Sequence, residues 1–230
     1  MSNATRRLVG LYAALAAVLA VVLSPLLAMA YFATGEGAGE LESGTVSAWA
    51  EPARDLAGGL LTWASPDRVY ATYVQCFAIL FAGVFLCTLA VRSRRNPRRR
   101  SERWGWRLAL AGYGLAAGGL IGVFFALIPG RADSVVVNVF FLALLLPGMF
   151  LTAIGSTVLG IAFLRNGYRP RATAWLLTFA FPAMVLLPVV LGHNSLGLLP
   201  LMIGWGVTGL DLWRAGRNAP ALAPAATDVG

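Results

Sequence analysis

Long uninterrupted runs of apolar residues dominate the chain, and short polar segments separate them. The runs are roughly 18 to 30 residues long, which is the length that an α-helix needs to cross the apolar part of a bilayer. The pattern therefore predicts an all-α, polytopic membrane protein with six transmembrane helices. We expect these helices at about residues 8–30, 69–91, 107–128, 135–164, 173–191 and 196–213. Together they form a single membrane domain over residues 1–217, and the composition of residues 218–230 predicts a disordered tail.

The first apolar run has two possible interpretations. Ala28-Met29-Ala30 resembles a signal-peptidase site, and Arg6 and Arg7 precede the run as they would in a secretory signal. The apolar core of a signal peptide is only about 7–15 residues long, however, and this run exceeds that length. We therefore expect the first helix to be retained, with cleavage after residue 30 as the alternative.

The longest hydrophilic segment, residues 31–68, forms the predicted outer loop between the first and second helices. It begins with the flexible acidic stretch TGEGAGE and places Trp49, Leu56, Leu60 and Trp63 on one helical face. Tryptophan at both ends of such a face is typical of an amphipathic helix in the headgroup layer. We expect such a helix on the outer face. It serves either as a lid or partner-docking surface, or as a connector that rests on the protein's own helices.

Arginine determines the predicted orientation of the chain. The loop after the second helix reads RSRRNPRRRSERWGWR, and arginine this dense beside a membrane helix stays in the cytoplasm. With both termini inside, the cytoplasmic segments hold 15 arginines and the outer segments hold Arg54, Arg68 and Arg131. The prediction is therefore N-in/C-in. The loop arginines are candidate contacts for anionic lipid at the cytoplasmic face: Arg92, Arg94, Arg95, Arg98, Arg99, Arg100, Arg103 and Arg107.

Small residues repeat every four positions in the third and fourth helices, and such rows let two helix backbones approach closely. We expect the two helices to pack as a tight antiparallel pair, with Pro147 kinking the fourth. A homodimer formed through one of the rows is the alternative. The third helix carries Gly114, Gly118, Gly122 and Ala126, and the fourth carries Gly148, Thr152, Ser156 and Gly160.

Composition and charge exclude several functional classes. The chain is 58% hydrophobic and 12% charged, with a net charge of +8. The arginines cluster at membrane boundaries without a nucleic-acid fold pattern, so we expect no nucleic-acid partner. No position between the predicted interfaces carries Asp, Glu, Lys, Arg or His, and Asp211, one turn from the cytoplasmic end of the sixth helix, comes nearest. Ion-coupled transporters place such groups at mid-membrane, which argues against that class.

Catalytic and metal-binding patterns are missing from the sequence. His193 is the only histidine, and Cys76 and Cys87 are about 16 Å apart along one predicted helix, too far for a disulfide. Ser156 and His193 fall toward opposite faces of the membrane, so they cannot form a nucleophile–base pair. We therefore predict that the protein is not an enzyme and has no metal site and no cofactor.

The sequence supports two functional hypotheses. The first is a non-catalytic accessory or sensory component of a bacterial inner (cytoplasmic) membrane that contacts the bilayer and possible membrane-protein partners. Its bacterial origin is suggested by basic residues that are all arginine, as codon bias in a GC-rich genome would produce. The alternative is an uncoupled carrier or channel for a small neutral or apolar solute, with Gln75, Asn138 and Thr208 as its few polar contacts. A continuous polar lining would favour the carrier, and a closed apolar core would favour the accessory component.

Overall fold

The computed structural model describes residues 2–97, 99–126 and 135–217. Every regular element within these ranges is a helix, so the prediction of an all-helical protein is confirmed. The predicted end of the third helix at residue 128, the following loop, Arg98 and the tail over residues 218–230 lie outside the described residues. The helices are α1 Asn3–Phe32, α2 Gly44–Leu61, α3 Pro66–Arg92, α4 Arg100–Ala126, α5 Val135–Phe140, α6 Leu146–Arg165, α7 Arg171–Thr178, α8 Ala180–Leu191, α9 Asn194–Gly197 and α10 Leu199–Arg217.

Four helical stretches among the described residues are long and apolar enough to cross a membrane. They are Asn3–Phe32, Pro66–Arg92, Arg100–Val123 and Asn138–Arg165. The bent pair α7 and α8 makes a fifth when it is counted as one span. The predicted sixth helix corresponds to α10, which carries Asp211, Arg214 and Arg217 and is not in this set.

Most helices extend beyond their predicted bounds, because polar turns continue the helix past the apolar run. The largest difference is at α4, which begins at Arg100 instead of about residue 107. Glu102 lies in its first turn, where a carboxylate is favoured by the positive end of the helix dipole. The arginines at positions 100, 103 and 107 therefore lie on a helix and not in a loop.

Two prolines explain the interruptions of the predicted fourth and fifth helices. Pro147 has no backbone N–H, so it cannot donate the helical hydrogen bond to the carbonyl oxygen of Ala143. A π-helical turn at Phe141–Leu145 lies just before it, between α5 and α6. Pro182 would clash with the carbonyl of Thr178 in a continuous helix, and the chain bends by 56° between α7 and α8 at that point. The backbone N–H of Phe181, which the bend sets free, donates to the hydroxyl of Thr157 on α6 at 3.0 Å.

The long helices pack as a ring in chain order. α1 contacts α3, α3 contacts α4, α4 contacts α6, α6 contacts α7, α7 contacts α10, and α10 returns to α1. The centre of the ring is filled by large side chains that are almost fully buried: Phe81, Trp106, Tyr113, Phe163 and Trp205. Loops 93–99 and 166–170 lie at one end of the bundle, which we name the arginine end, and α2 lies at the other, the α2 end.

The tight antiparallel pair predicted for the third and fourth helices is present as α4 and α6, but α4 uses a different row of small residues. A Cβ on Gly105 would lie 2.9 Å from the Cα of Leu159, and a Cβ on Gly119 would lie 2.6 Å from the backbone nitrogen of Leu145. Gly112, between them, meets the backbone of Thr152 even more closely. The row on α4 therefore repeats every seven residues, as expected for helices that cross at a small angle.

The four-residue row predicted on α4 turns away from this seam. A Cβ on Gly118 would have no neighbouring atom within 4 Å, Gly114 faces the ring of Phe85 on α3, and Gly122 meets the ring of Phe140. A row with a period of four rotates by about 40° at each step, so it cannot follow one neighbour over several turns. On α6, Gly148 and Thr152 do face α4, whereas Gly160 abuts the backbone of Thr178 on α7.

A second glycine seam closes the ring between α1 and α10. A Cβ on Gly10 would lie 2.6 Å from the carbonyl oxygen of Gly209, and Gly206 lies directly against Ala17. Because both helices present small residues here, their backbones approach closely and seal the bundle on this side.

The segment between α1 and α3 contains a 3-10 helix at Ala38–Glu42 and the predicted amphipathic helix, which is α2. α2 rests on the ends of α1 and α3 through Val46, Ala50, Ala57 and Leu61. The predicted apolar face is divided. Trp49 packs against Phe32 of α1 at 5.9 Å between ring centroids, whereas Leu56, Leu60 and Trp63, which follows the end of α2, are 92%, 54% and 50% exposed. α2 therefore packs on its own bundle and leaves these three apolar side chains uncovered.

Candidate functional site

A chain of hydrogen bonds links the three helices at the centre of the bundle. The indole N–H of Trp205 donates to the hydroxyl oxygen of Tyr113 at 3.0 Å. The hydroxyl of Tyr113 is 2.7 Å from that of Ser156, and the Ser156 hydroxyl reaches the carbonyl oxygen of Thr152. Because Ser156 gives its single proton to that carbonyl, Tyr113 donates to Ser156 and every donor in the chain is satisfied.

Aromatic rings surround this hydrogen-bonded chain and fill the core. Trp205 lies 6.2 Å from Trp106 and 6.4 Å from Tyr113, and Tyr113 meets the edge of Phe81 at 6.3 Å between ring centroids. We name these four residues, Phe81, Trp106, Tyr113 and Trp205, the aromatic core. Each is at most 1% exposed, so these four side chains fill the middle of the ring.

A buried carboxylate connects the aromatic core to the arginine end. Glu102 is 2% exposed, and it pairs with the guanidinium of Arg95. Its second oxygen accepts a hydrogen bond from the side-chain amide of Asn166 at 2.6 Å, and the indole N–H of Trp106 approaches the first at 3.4 Å. The Arg95 guanidinium also lies 5.1 Å from the ring centroids of both Phe163 and Tyr168. One ion pair thus joins loop 93–99, α4 and loop 166–170.

The other arginines proposed as lipid contacts are placed differently from Arg95. Arg92 is partly buried and donates to the carbonyl oxygen of Arg95 at 2.7 Å, and Arg107 lies over the ring of Trp104. Five of the described members are exposed at the surface of this end: Arg94, Arg99, Arg100, Arg103 and Arg107. Arg95 is engaged inside the protein, and that role was missed because its partners come from distant parts of the sequence.

A second polar contact ties α7 to α10 near the same end. The hydroxyl of Thr173 donates to the carbonyl oxygen of Gly204 at 2.7 Å and lies 2.9 Å from the hydroxyl of Thr208. Tyr168 reaches Thr208 at 3.3 Å. Thr208 was predicted as a polar contact for a solute, but it is only 2% exposed and its hydroxyl contacts Thr173 and Tyr168 instead. Asn138, the second such residue, is exposed on the outside of the bundle.

A cavity of about 410 Å³ lies in the half of the bundle nearer the α2 end. Its walls are apolar side chains of α3, α4, α6 and α8, and Phe81 of the aromatic core lines its deep end. Tyr70, His193 and Asn194 line its opposite end. Small-molecule sites in proteins have volumes of about 300–1,000 Å³, so the cavity has the size of a ligand site.

His193 holds the turn between α8 and α9 at the polar end of this cavity. Its Nδ1 accepts the backbone N–H of Ser195 at 3.2 Å and so caps the start of α9. The ring lies 5.2 Å from that of Tyr31 and 6.2 Å from that of Tyr70. Burial among these rings lowers the pKa of His193 from 6.5 to about 4, so the imidazole is neutral at pH 7.

The serine hydroxyls and the imidazole that could serve as a nucleophile and a base are engaged in structural hydrogen bonds. The hydroxyl of Ser195 lies 2.8 Å from His193 Nδ1, but Ser195 is 3% exposed and also donates to the carbonyl oxygen of Ser24. Ser156 is hydrogen-bonded to Tyr113, and His193 contacts Ser195, so the two residues do not share a partner. Within the described ranges no three His, Cys, Asp or Glu residues come together to hold a metal ion.

Comparisons with models of protein families, with curated proteins and with solved structures find no match to this chain.

Proposed function

We propose that the protein is a non-catalytic accessory or sensory component of a bacterial cytoplasmic membrane, with six spans and both termini in the cytoplasm. The observation that carries this proposal is the aromatic core. The alternative, an uncoupled carrier or channel for a small neutral or apolar solute, needs an open path through the bundle. The centre is instead occupied by Phe81, Trp106, Tyr113 and Trp205, whose polar atoms are hydrogen-bonded inside the protein.

The six-span arrangement is supported by the ring of helices. α10 packs along α1 through the Gly10 and Gly209 seam, and α1 is long and apolar enough to span a bilayer. A helix packed along a spanning helix over this length would itself cross the membrane. The predicted orientation then follows from arginine, because the arginine end carries loops 93–99 and 166–170.

The exposed arginines and the uncovered face of α2 supply the contact surfaces of such a component. Arg94, Arg99, Arg100, Arg103 and Arg107 present positive charge where anionic headgroups of the cytoplasmic leaflet would lie. At the other end, Leu56, Leu60 and Trp63 would lie in the headgroup layer or against a membrane-protein partner. Of the glycines in the predicted row on α4, Gly118 alone has open space beside it, so a second copy or a partner helix could approach α4 at that position.

Solute flux in proteoliposomes tests this proposal against the carrier alternative. The wild-type protein is expected to give no faster efflux of entrapped glycerol or urea than protein-free vesicles. Trp205→Ala provides the positive comparison, since removing the indole opens a void next to Tyr113 and should raise leakage. Saturable flux through the wild-type protein would support the carrier and contradict the proposal.

A further inference from the structure

We infer that the cavity near the α2 end is a binding site for a neutral amphiphile that enters sideways from the bilayer, with an oxygen that hydrogen-bonds to Thr152. The inference goes beyond the proposed function and holds whether the protein acts as an accessory component or as a sensor.

The shape of the cavity suits a slender ligand. On α3 it extends from Tyr70 at the polar end to Phe81 at the deep end, which is about 16 Å at 1.5 Å per residue. Its volume is about 410 Å³. If each non-hydrogen atom of a ligand with its hydrogens needs roughly 30 Å³, as a water molecule does, the cavity holds about 14 such atoms. A 12- to 14-carbon chain with one polar group has this length and size.

The side wall of the cavity is open to the surroundings of the bundle. Phe150 on α6 and Phe181 and Val185 on α8 line the cavity, yet they are 59%, 41% and 46% exposed. The 56° bend before Pro182 turns α8 away from the axis of α7. The exposed lining side chains mark a gap between α8 and α6. In a membrane this gap faces acyl chains, so an amphiphile could enter laterally without crossing water.

An unpartnered hydroxyl marks the deep end of the site. Thr152 lines the cavity, is fully buried, and its Oγ1 has no hydrogen-bond partner among the described residues. An unsatisfied buried polar group costs about 1–3 kcal/mol, and most threonines in helices avoid that cost through a carbonyl one turn earlier. Thr88 shows the usual solution, since its hydroxyl donates to the carbonyl oxygen of Val84 at 2.6 Å. A ligand oxygen at Thr152 would supply the partner that its own helix does not.

The lining selects a neutral molecule. Val74, Phe77, Leu120 and Met184 form apolar walls, and no Asp, Glu, Lys or Arg is among the described residues that line the cavity. His193 at the polar end is neutral at pH 7. A charged head inside the cavity would therefore lose its hydration without gaining a counter-charge. A fatty alcohol, or another single-chain molecule with a hydroxyl or carbonyl group, fits these requirements.

Photolabelling of the full-length protein in lipid nanodiscs tests the site. The probe is a 12-carbon alcohol that carries a diazirine in its chain, and mass spectrometry maps the labelled peptides. We expect labels on α3, α6 and α8 around the cavity. Dodecan-1-ol should compete for labelling at lower concentration than dodecane or dodecanoate.

Variants separate the hydrogen bond from the cavity itself. Thr152→Val keeps the shape but removes the hydroxyl, and it should weaken competition by dodecan-1-ol about 2- to 10-fold, as the loss of one hydrogen bond predicts. Thr88→Val is the matched control, because its hydroxyl bonds within its own helix, and it should compete like the wild type. Ala153→Leu fills the cavity and should abolish labelling there.

The wild-type competition remains decisive even where a variant does not fold. Equal competition by dodecane and dodecan-1-ol would overturn the proposal, because the cavity would then take any acyl chain. Equal competition by dodecanoate would overturn the selection for a neutral molecule. Labels confined to the outer surface of α2 or α10 would overturn the site.

Discussion

Trp205 on α10 and Tyr113 on α4 meet at the centre of the bundle, where the indole N–H donates to the phenol oxygen at 3.0 Å. Tyr113 in turn donates to Ser156 on α6. A single hydrogen-bonded chain thus joins α10, α4 and α6 among fully buried side chains. These contacts tie the three helices together in addition to apolar packing.

Tyr113→Phe should therefore lower the stability of the bundle by about 1–3 kcal/mol, because the N–H of Trp205 would be left buried without an acceptor. Thermal unfolding in a mild detergent, followed by tryptophan fluorescence, measures the effect. Tyr73→Phe is the matched control, since the Tyr73 hydroxyl donates to the carbonyl of Leu60 where other partners can reach it. Equal melting temperatures for the two variants would contradict the role given to Tyr113.

The tight seam between α4 and α6 makes a second prediction about two glycines on one helix. Gly112→Ala should destabilise the protein by about 1–3 kcal/mol, because the new Cβ meets the backbone of Thr152. Gly118→Ala should cause no loss, because nothing lies within 4 Å of its Cβ and alanine has the better helix propensity. Thermal stability in detergent compares the pair. A larger loss at Gly118 would show that the predicted four-residue row, and not the observed one, forms the seam.

These two glycines also show what could be predicted from the sequence and what could not. The spans follow from the length of the apolar runs, and the breaks in two of them follow from Pro147 and Pro182. The α4 sequence, however, contains two interleaved rows of small residues, and no local signal shows which row faces a partner. Gly112 and Gly119 belong to the row that was overlooked. Their spacing of seven residues was the available signal.

The candidate site was less predictable, because its residues come together only in the folded bundle. Glu102 stands out in the sequence as the one acid among the loop arginines, and that was a usable signal for a buried pair. Its contact with Asn166, 64 positions later, depends on the packing of α4 against α6. The cavity depends on the direction that α8 takes after its bend, and no sequence pattern specifies that direction.

The buried ion pair predicts different outcomes for two arginines of the same loop. Arg95→Ala should cost about 3–5 kcal/mol, because it leaves the Glu102 carboxylate buried without its counter-charge. Arg99→Ala should change stability by less than about 0.5 kcal/mol, since Arg99 is exposed. Thermal unfolding of both variants at one salt concentration gives the comparison. A small effect at Arg95 would mean that Glu102 does not depend on this pair.

Because His193 is buried at the turn between α8 and α9, we expect the stability of the protein to decrease in acid. Its pKa is about 4 in the folded protein and 6.5 ordinarily, so the unfolded chain binds the proton at higher pH than the folded chain does. Its contribution to stability is therefore complete above about pH 6.5 and is lost as the pH falls toward 4. The difference in melting temperature between the wild type and His193→Asn, followed from pH 7 to 4, measures this. Subtraction removes the pH dependence that the two proteins share. A difference that does not change with pH would contradict the burial of the imidazole.

The proposed function includes a six-span threading with both termini in the cytoplasm, and reporter fusions test this threading most directly. A reporter that distinguishes cytoplasm from the outside is joined after Arg100, Arg171 or Arg217 at the arginine end, and after Glu51 or Asp133 in the segments predicted to lie outside. The account predicts a cytoplasmic signal from the first three fusions and an outside signal from the last two. A cytoplasmic signal from the fusion after Glu51 would contradict the proposed threading and, with it, the assignment of six spans.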